Sequence, residues 1–156
     1  MIQTYIPGRG NINLEILVLD YNGTLALDGR MFDSVKEKLK RLSPYLEIHI
    51  ITSDTFGSVV QQCEGLPLQV KVLESAEHIK EKGDYVLKFR PREVVAIGNG
   101  ANDQLMLQHA QLGIAVIGGE GASAQALLSA DLVVNDIEDA FGLLLETKRL
   151  KATFRL

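Results

Sequence analysis

Leu14-Glu15-Ile16-Leu17-Val18-Leu19-Asp20-Tyr21-Asn22-Gly23-Thr24-Leu25 is the stretch on which the reading of this chain turns. Its first six residues are apolar apart from Glu15, a run of strand length that reads as a buried strand. Asp20 ends the run, and Asn22-Gly23 bring turn residues directly after it. A carboxylate projected from the end of a buried strand stands at the floor of a crevice, placed to attack phosphorus or hold a cation. An ordinary Asx turn accounts for this one segment equally well.

Outward from that strand, short apolar runs alternate with stretches of helical period. Strands are expected over residues 46–51, 68–73, 93–97, 114–117 and 132–134. Helices are expected over 32–42 (Val35, Leu39 and Leu42 on one face), 55–63, 76–89 with an interruption at Gly83, 103–110, 122–128 and 137–146. The alternation predicts an α/β fold, a Rossmann-like three-layer sandwich around a mostly parallel sheet. Residues 5–10 look like a strand and turn that pair with the first core strand, giving an N-terminal hairpin within 1–12. Asp28-Gly29 marks the tip of a second small hairpin over 25–31. A core of 13–146 and a solvated tail of 147–156 complete a single domain.

The 156 residues suffice for one such domain with a real core. A net charge of −4 gives no electrostatic case for nucleic acid or an anionic membrane. The basic cluster Lys148, Arg149, Lys151 and Arg155 reads as solvation of the tail. Cys63 is the only cysteine, so neither an internal disulfide nor a cysteine-rich metal site is expected. Apolar runs are far too short to span a bilayer, nothing resembles a signal peptide, and a cytoplasmic setting is expected. His49, His78 and His109 lack metal-site spacing and read as structural or solvated.

In open α/β sheets ligands bind beyond the carboxyl ends of the strands. There the sequence places Asp20, then Thr52-Ser53-Asp54, then Gly98-Asn99-Gly100-Ala101-Asn102-Asp103. A hydroxyl at Thr52 or Ser53 can donate to a phosphate oxygen, aided by the start of a helix near Thr55; equally, Ser53 or Asp54 can simply cap that helix. Lys80 or Lys82 can bring an ammonium to a carboxylate and an incoming phosphate. Asn99 and Asp103 offer oxygens suited to a hard cation such as Mg²⁺. Gly118-Gly119-Glu120-Gly121 reads as a loop.

Taken in order, these segments resemble the four motifs of the haloacid dehalogenase (HAD) superfamily. The chain is similar in particular to small soluble proteins likened to the phosphorylation domain of P-type ATPases. Asp20 to Leu25 resembles D-K-T-G-T-L, Thr52-Ser53-Asp54 resembles T-G-D, and Gly98 to Asp103 resembles G-D-G-x-N-D. The run from Leu105 to Ile117 resembles A-L-x-x-A-x-x-G-I-A. The resemblance implies an HAD-like fold and a Mg²⁺-dependent phosphohydrolase whose nucleophile, Asp20, becomes an aspartyl-phosphate. It further implies phosphate contacts from Thr52, Ser53, Gly23 and a lysine, and a cation held by Asp20, the Asn22 backbone carbonyl, Asn99 and Asp103. The family's interval of about eighteen residues before the motif glycine selects Lys80, with Lys82 as second choice.

Two positions depart from the pattern. Asn22 stands where a phosphatase carries its acid/base aspartate, and it cannot transfer a proton; such help is typically worth about 10²–10⁴ in rate. Asn99 replaces a charged cation ligand by a neutral oxygen. The short intervals after Asp20 and Ser53 leave no room for an inserted cap or nucleotide-binding domain, which rules out a pump. An uncapped site is open and admits a large substrate such as a phosphoprotein, or suits a homo-oligomer in which a neighbouring subunit serves as lid; a small phosphorylated substrate is the other expected partner. A non-hydrolytic binding or regulatory module of the same fold, and a phosphotransferase, are the alternatives.

Overall fold

The computed structural model describes residues 1–55 and 57–155. Phe56, inside the helix expected over 55–63, and Leu156 lie outside the described residues. Six parallel strands form the central sheet: β3 (Ile16–Asp20), β6 (Glu47–Thr52), β7 (Gln69–Val72), β8 (Val94–Gly98), β9 (Leu112–Val116) and β10 (Leu132–Val134). Their order is β10-β9-β8-β3-β6-β7. From β3 the chain builds outward first through β6 and β7, then returns to the other side of β3 for β8, β9 and β10. The order therefore reverses between β3 and β8, which opens a crevice beyond their carboxyl ends.

Period-two alternation distributes the strand side chains between two apolar layers. Leu17, Leu19, Ile48, Ile50, Val95 and Ile97 face one layer. Helices α1 (Asp33–Leu42), α6 (Ile137–Leu145) and α7 (Thr147–Thr153) cover that layer through residues such as Leu39, Phe141 and Leu150. Val18, Ile51 and Ala96 face the other layer, under α3 (His78–Leu87), α4 (Gln104–His109) and α5 (Ala124–Ser129). The α/β sandwich expected from the sequence is thus the observed fold. Between β3 and β6 the chain inserts only a small hairpin and α1, and between β6 and β7 only α2 (Ser58–Gln62); no further layer covers the crevice among the described residues.

The small hairpin, β4 (Ala26–Leu27) and β5 (Arg30–Met31), turns at Asp28 and Gly29, both with positive φ (51° and 77°). That is the type I′ geometry for which Asp-Gly is suited. The N-terminal hairpin is arranged otherwise than expected. Strand β1 (Ile2–Ile6) pairs with β2 (Gly10–Leu14) in a separate two-stranded sheet, not with the core strand. The inward residues explain the break: Ile12 and Leu14 before it and Leu17 and Leu19 after it all enter the same layer. A continuous strand would send the second pair to the opposite face, so the chain changes phase at Glu15.

The segment expected to be a solvated tail is also different, because Thr147–Thr153 forms α7. Leu150 is fully buried and packs into the layer that contains β1, while Lys148, Arg149 and Lys151 remain exposed. Arg9 lies over the Phe154 ring at 5.0 Å and secures the helix end. Leu150→Ala should therefore lower unfolding free energy by about 2–5 kcal/mol in a denaturant titration; a change below 0.5 kcal/mol would show that α7 adds nothing to the fold.

Candidate active site

Sheet register brings three chain segments to one level. Asp20 pairs with Ile51 of β6, and Leu19 pairs with Ile97 of β8. Asp20 and Gly98 consequently leave the sheet side by side at the point where strand order reverses, with Thr52 one residue farther along β6. The turn after Asp20 is tightly wound, since the Tyr21 carbonyl accepts from the amides of Thr24, Leu25 and Ala26. Gly23 sits at φ 76°, and a methyl group built on it would lie 2.4 Å from Asn99 Nδ2 and 2.8 Å from Glu120 Oε2. Only glycine combines that backbone with such a close approach.

The lysine that reaches the crevice is Lys82, which corrects the choice of Lys80. Lys82 Nζ donates to Asp20 Oδ1 at 2.6 Å and to Asp103 Oδ1 at 2.7 Å, and the side chain is 1% exposed. On α3, Lys82 and Val86 are one turn apart and both point inward, whereas Lys80 lies two residues away around the helix and is exposed. Counting back from Gly98 finds the right turn of the helix but not its inward face. Gly83 does not interrupt α3; it marks where α4 crosses, since a methyl there would meet Leu105 Cβ at 2.7 Å.

Asp103 closes a short 3-10 turn, Ala101–Asp103, and is fully buried. Its Oδ2 accepts from the amides of Asn99 (2.9 Å) and Gly100 (2.8 Å), while Oδ1 accepts from Lys82. Gly98 makes room for this fold-back, because a methyl there would stand 2.5 Å from Asp103 Oδ2. Two carboxylates thus share one ammonium and leave a surplus negative charge. Burial, followed by the nearby Asp103 charge, pushes the Asp20 pKa up to about 7 against the downward pull of Lys82. For Lys82 burial acts downward, but the two carboxylates outweigh it and the net shift is upward.

The oxygens of Asp20 differ in kind. Oδ1 is held by Lys82, whereas Oδ2 makes a long 3.4 Å contact with the Thr24 hydroxyl, and the Tyr21 amide also donates to this carboxylate. That hydroxyl has one proton and a nearer acceptor in Asn99 Oδ1 at 3.1 Å. Thr52 is buried, and its hydroxyl oxygen accepts from the Asp54 amide at 3.1 Å. Asp54 Oδ2 accepts from Ser58 and from the Val59 amide in the first turn of α2, whose N-cap is Gly57. Helix α2 starts only at Ser58, later than the start near Thr55 that was expected to aim amides at a phosphate alongside the hydroxyl. Ser53 and Asn22 are exposed.

Asn99 is engaged on both sides of its amide group. Oδ1 accepts from Thr24, and Nδ2 donates to the Gly121 carbonyl at 2.9 Å; its backbone carbonyl accepts from Ser123. The loop carrying Glu120 is thereby tied to the crevice, although glycine content alone marked it only as a loop. Its proximity to Gly23 has no local sequence signal, because the approach depends on tertiary folding. His49 is buried, with Nδ1 against Tyr85 and Nε2 against Glu47, and His109 Nδ1 contacts the Gly83 carbonyl. Gly23 and Thr24, with Leu27, Phe32 and Gly118, also wall a cavity of about 240 Å³ beside the turn.

Comparison with known proteins agrees with this architecture. The family model for haloacid dehalogenase-like hydrolases matches residues 76–144. An uncharacterized protein of Methanocaldococcus jannaschii is 58% identical over 64 residues, covering 41% of this chain and 69% of that protein. A probable copper-exporting P-type ATPase of Archaeoglobus fulgidus is 33% identical over 123 residues, 75% of this chain but 14% of the ATPase. A soluble P-type ATPase-like phosphatase of M. jannaschii is 25% identical over 119 residues, 74% of this chain and 44% of its own length. The chain therefore spans less than half of these last two relatives. The structure of 3-deoxy-D-manno-octulosonate 8-phosphate phosphatase from Moraxella catarrhalis, in complex with magnesium ion, phosphate ion and KDO, superposes with a TM-score of 0.68 at 15% identity; the match covers 91% of this chain and 94% of that one. No described helix is long and apolar enough to cross a membrane. Residues 76–144 thus match the haloacid dehalogenase-like hydrolase family, and the chain is similar over three quarters of its length to the P-type ATPase and to the soluble P-type ATPase-like phosphatase.

Proposed function

We propose that the crevice performs phosphoryl transfer through an aspartyl-phosphate on Asp20, as a Mg²⁺-dependent phosphohydrolase of small phosphorylated substrates or phosphoproteins. The observation that carries this reading is the Lys82 ammonium held between Asp20 and Asp103 at the end of β3. With Oδ1 fixed by Lys82, Asp20 Oδ2 is the oxygen positioned to attack phosphorus. Lys82 neutralises charge as the phosphoryl group approaches, and Asp103 keeps the ammonium from swinging away. Thr52, whose oxygen already accepts from the Asp54 amide, has its proton left to donate to a phosphoryl oxygen.

A divalent cation fits the surplus negative charge and the hard oxygen donors at this edge. Asp20, Asn99 Oδ1 and the Asn22 backbone carbonyl would hold it, and when bound it would supply positive charge against the phosphate. Asp103 has a different role in this reading from the ligand role first expected: both its oxygens are engaged, and it positions Lys82. Among the described residues no group of three His, Cys, Asp or Glu side chains is arranged to hold a metal, consistent with a Mg²⁺ shell completed by water and phosphate. Asn22, exposed and unable to transfer a proton, favours a second reading in which the site binds phosphate without turnover.

Adduct formation and its response to substitution check the proposal. Acetyl phosphate with Mg²⁺ should leave a phosphoryl adduct that mass spectrometry maps to Asp20, and Asp20→Asn should abolish it. Phosphate binding with neither adduct nor release supports the non-hydrolytic module instead. Lys82→Met should reduce adduct formation by at least about 10²-fold and destabilise the protein by about 3–5 kcal/mol, since it leaves buried carboxylates without their partner. Lys80→Met should leave stability within about 0.5 kcal/mol of wild type and adduct formation unchanged.

A further inference from the structure

We infer that Glu120 is the general acid and base of this site, in the role that Asn22 cannot fill. The inference rests on the phosphoryl-transfer reading above and adds a catalytic residue to it.

Three observations converge on this carboxylate. Glu120 Oε2 and Asn99 Nδ2 both crowd the position where a side chain on Gly23 would stand, immediately after Asn22 in the turn from Asp20. Glu120 Oε1 has only a long 3.4 Å contact with the Asp28 amide, and the residue is exposed, so the group is accessible to water and substrate. The loop is also fixed at the crevice: Asn99 Nδ2 donates to the Gly121 carbonyl, and the Ser123 amide donates back to the Asn99 carbonyl. An aspartate at position 99 could not make the first bond, and its charge would repel Glu120. Asn99 thus brings a carboxylate to the crevice mouth by anchoring its loop.

Location favours the leaving-group side. The cavity of about 240 Å³ shares Gly23 and Thr24 with the turn and Gly118 and Gly119 with the Glu120 loop. In this proposal the cavity takes the alkyl part of the ester, and Gly23 is the wall it shares with the corner that Glu120 Oε2 approaches. In the first step Asp20 Oδ2 forms a bond to phosphorus, the phosphorus–oxygen bond to the alcohol breaks, and protonated Glu120 gives its proton to the departing alkoxide. In the second step the Glu120 carboxylate takes a proton from water as that water attacks phosphorus. The Asp20–phosphate bond breaks, inorganic phosphate leaves, and Asp20 and protonated Glu120 are regenerated.

The test is single-turnover kinetics of full-length wild type and Glu120→Gln with two donors, an alkyl phosphomonoester such as glycerol phosphate and acetyl phosphate. An alkoxide needs a proton to depart, whereas acetate does not. Adduct formation from the alkyl ester should fall by about 10²-fold or more in Glu120→Gln, with formation from acetyl phosphate within about twofold of wild type. Adduct decay should slow by about 10²-fold from either donor, and Asn22→Asp in the Glu120→Gln background should restore at least tenfold of both losses. Equal rates in the two proteins would overturn the role of Glu120 while leaving phosphoryl transfer intact. So would an equal loss of formation with both donors accompanied by a raised Mg²⁺ requirement, since that assigns Glu120 to cation binding. A wild type that forms no adduct and releases no phosphate from either donor would overturn both readings.

Discussion

A single buried ammonium shared by two carboxylates sets the constraints on this molecule. Lys82, Asp20 and Asp103 come from α3, from the end of β3 and from the turn after β8, so their meeting requires the central sheet, the α3–α4 packing and the Gly98 turn together. Removing a partner from a buried ion pair is costly because a charge is left without compensation. Several glycines become intelligible through this requirement. Gly98 admits the Asp103 carboxylate, Gly83 admits α4 against the lysine-bearing helix, and Gly23 admits Asn99 and Glu120.

Much of this was legible in the sequence because it depends on local physics. Buried strands announce themselves as apolar runs, an Asp-Gly pair specifies its hairpin turn, and polar groups at strand ends gather wherever a parallel sheet forms. Chain order was enough to place Asp20, Thr52 and Gly98 on one edge. The family interval was insufficient for the lysine because residues two apart on a helix point to different sides, and only the packing of α3 against the sheet decides between Lys80 and Lys82. The break at Glu15 was visible in principle, as a change in which alternate residues are apolar. It was obscured because residues 16–19 after the break are apolar without alternation, so the new phase carries no polar marker.

The remaining features were hidden for another reason: their meaning lies in contacts between segments distant in sequence. A basic C-terminal stretch looks solvated until Leu150 is seen against the layer containing β1. Glycines around Glu120 suggest nothing but a loop until the loop is found bonded to Asn99. Asn99 itself looks like an acid that has lost its charge. In place it uses both ends of its amide, accepting from Thr24 and donating to Gly121, which no carboxylate can do.

Charge balance ties these observations together. With two carboxylates and one ammonium the crevice is already net negative, and Glu120 adds a further acidic group at its mouth. On the proposed phosphoryl transfer, a phosphate dianion approaching such a site is repelled unless positive charge accompanies it, so anion and cation would favour each other's binding. The Asn99 amide lessens that repulsion by one charge while still offering an oxygen. If Lys82 were free to rotate, an anion arriving in the crevice would draw it away from Asp20. Asp103, bonded to two backbone amides through one oxygen and to Lys82 through the other, opposes that motion, which is a physical reason for a fully buried carboxylate behind an open crevice.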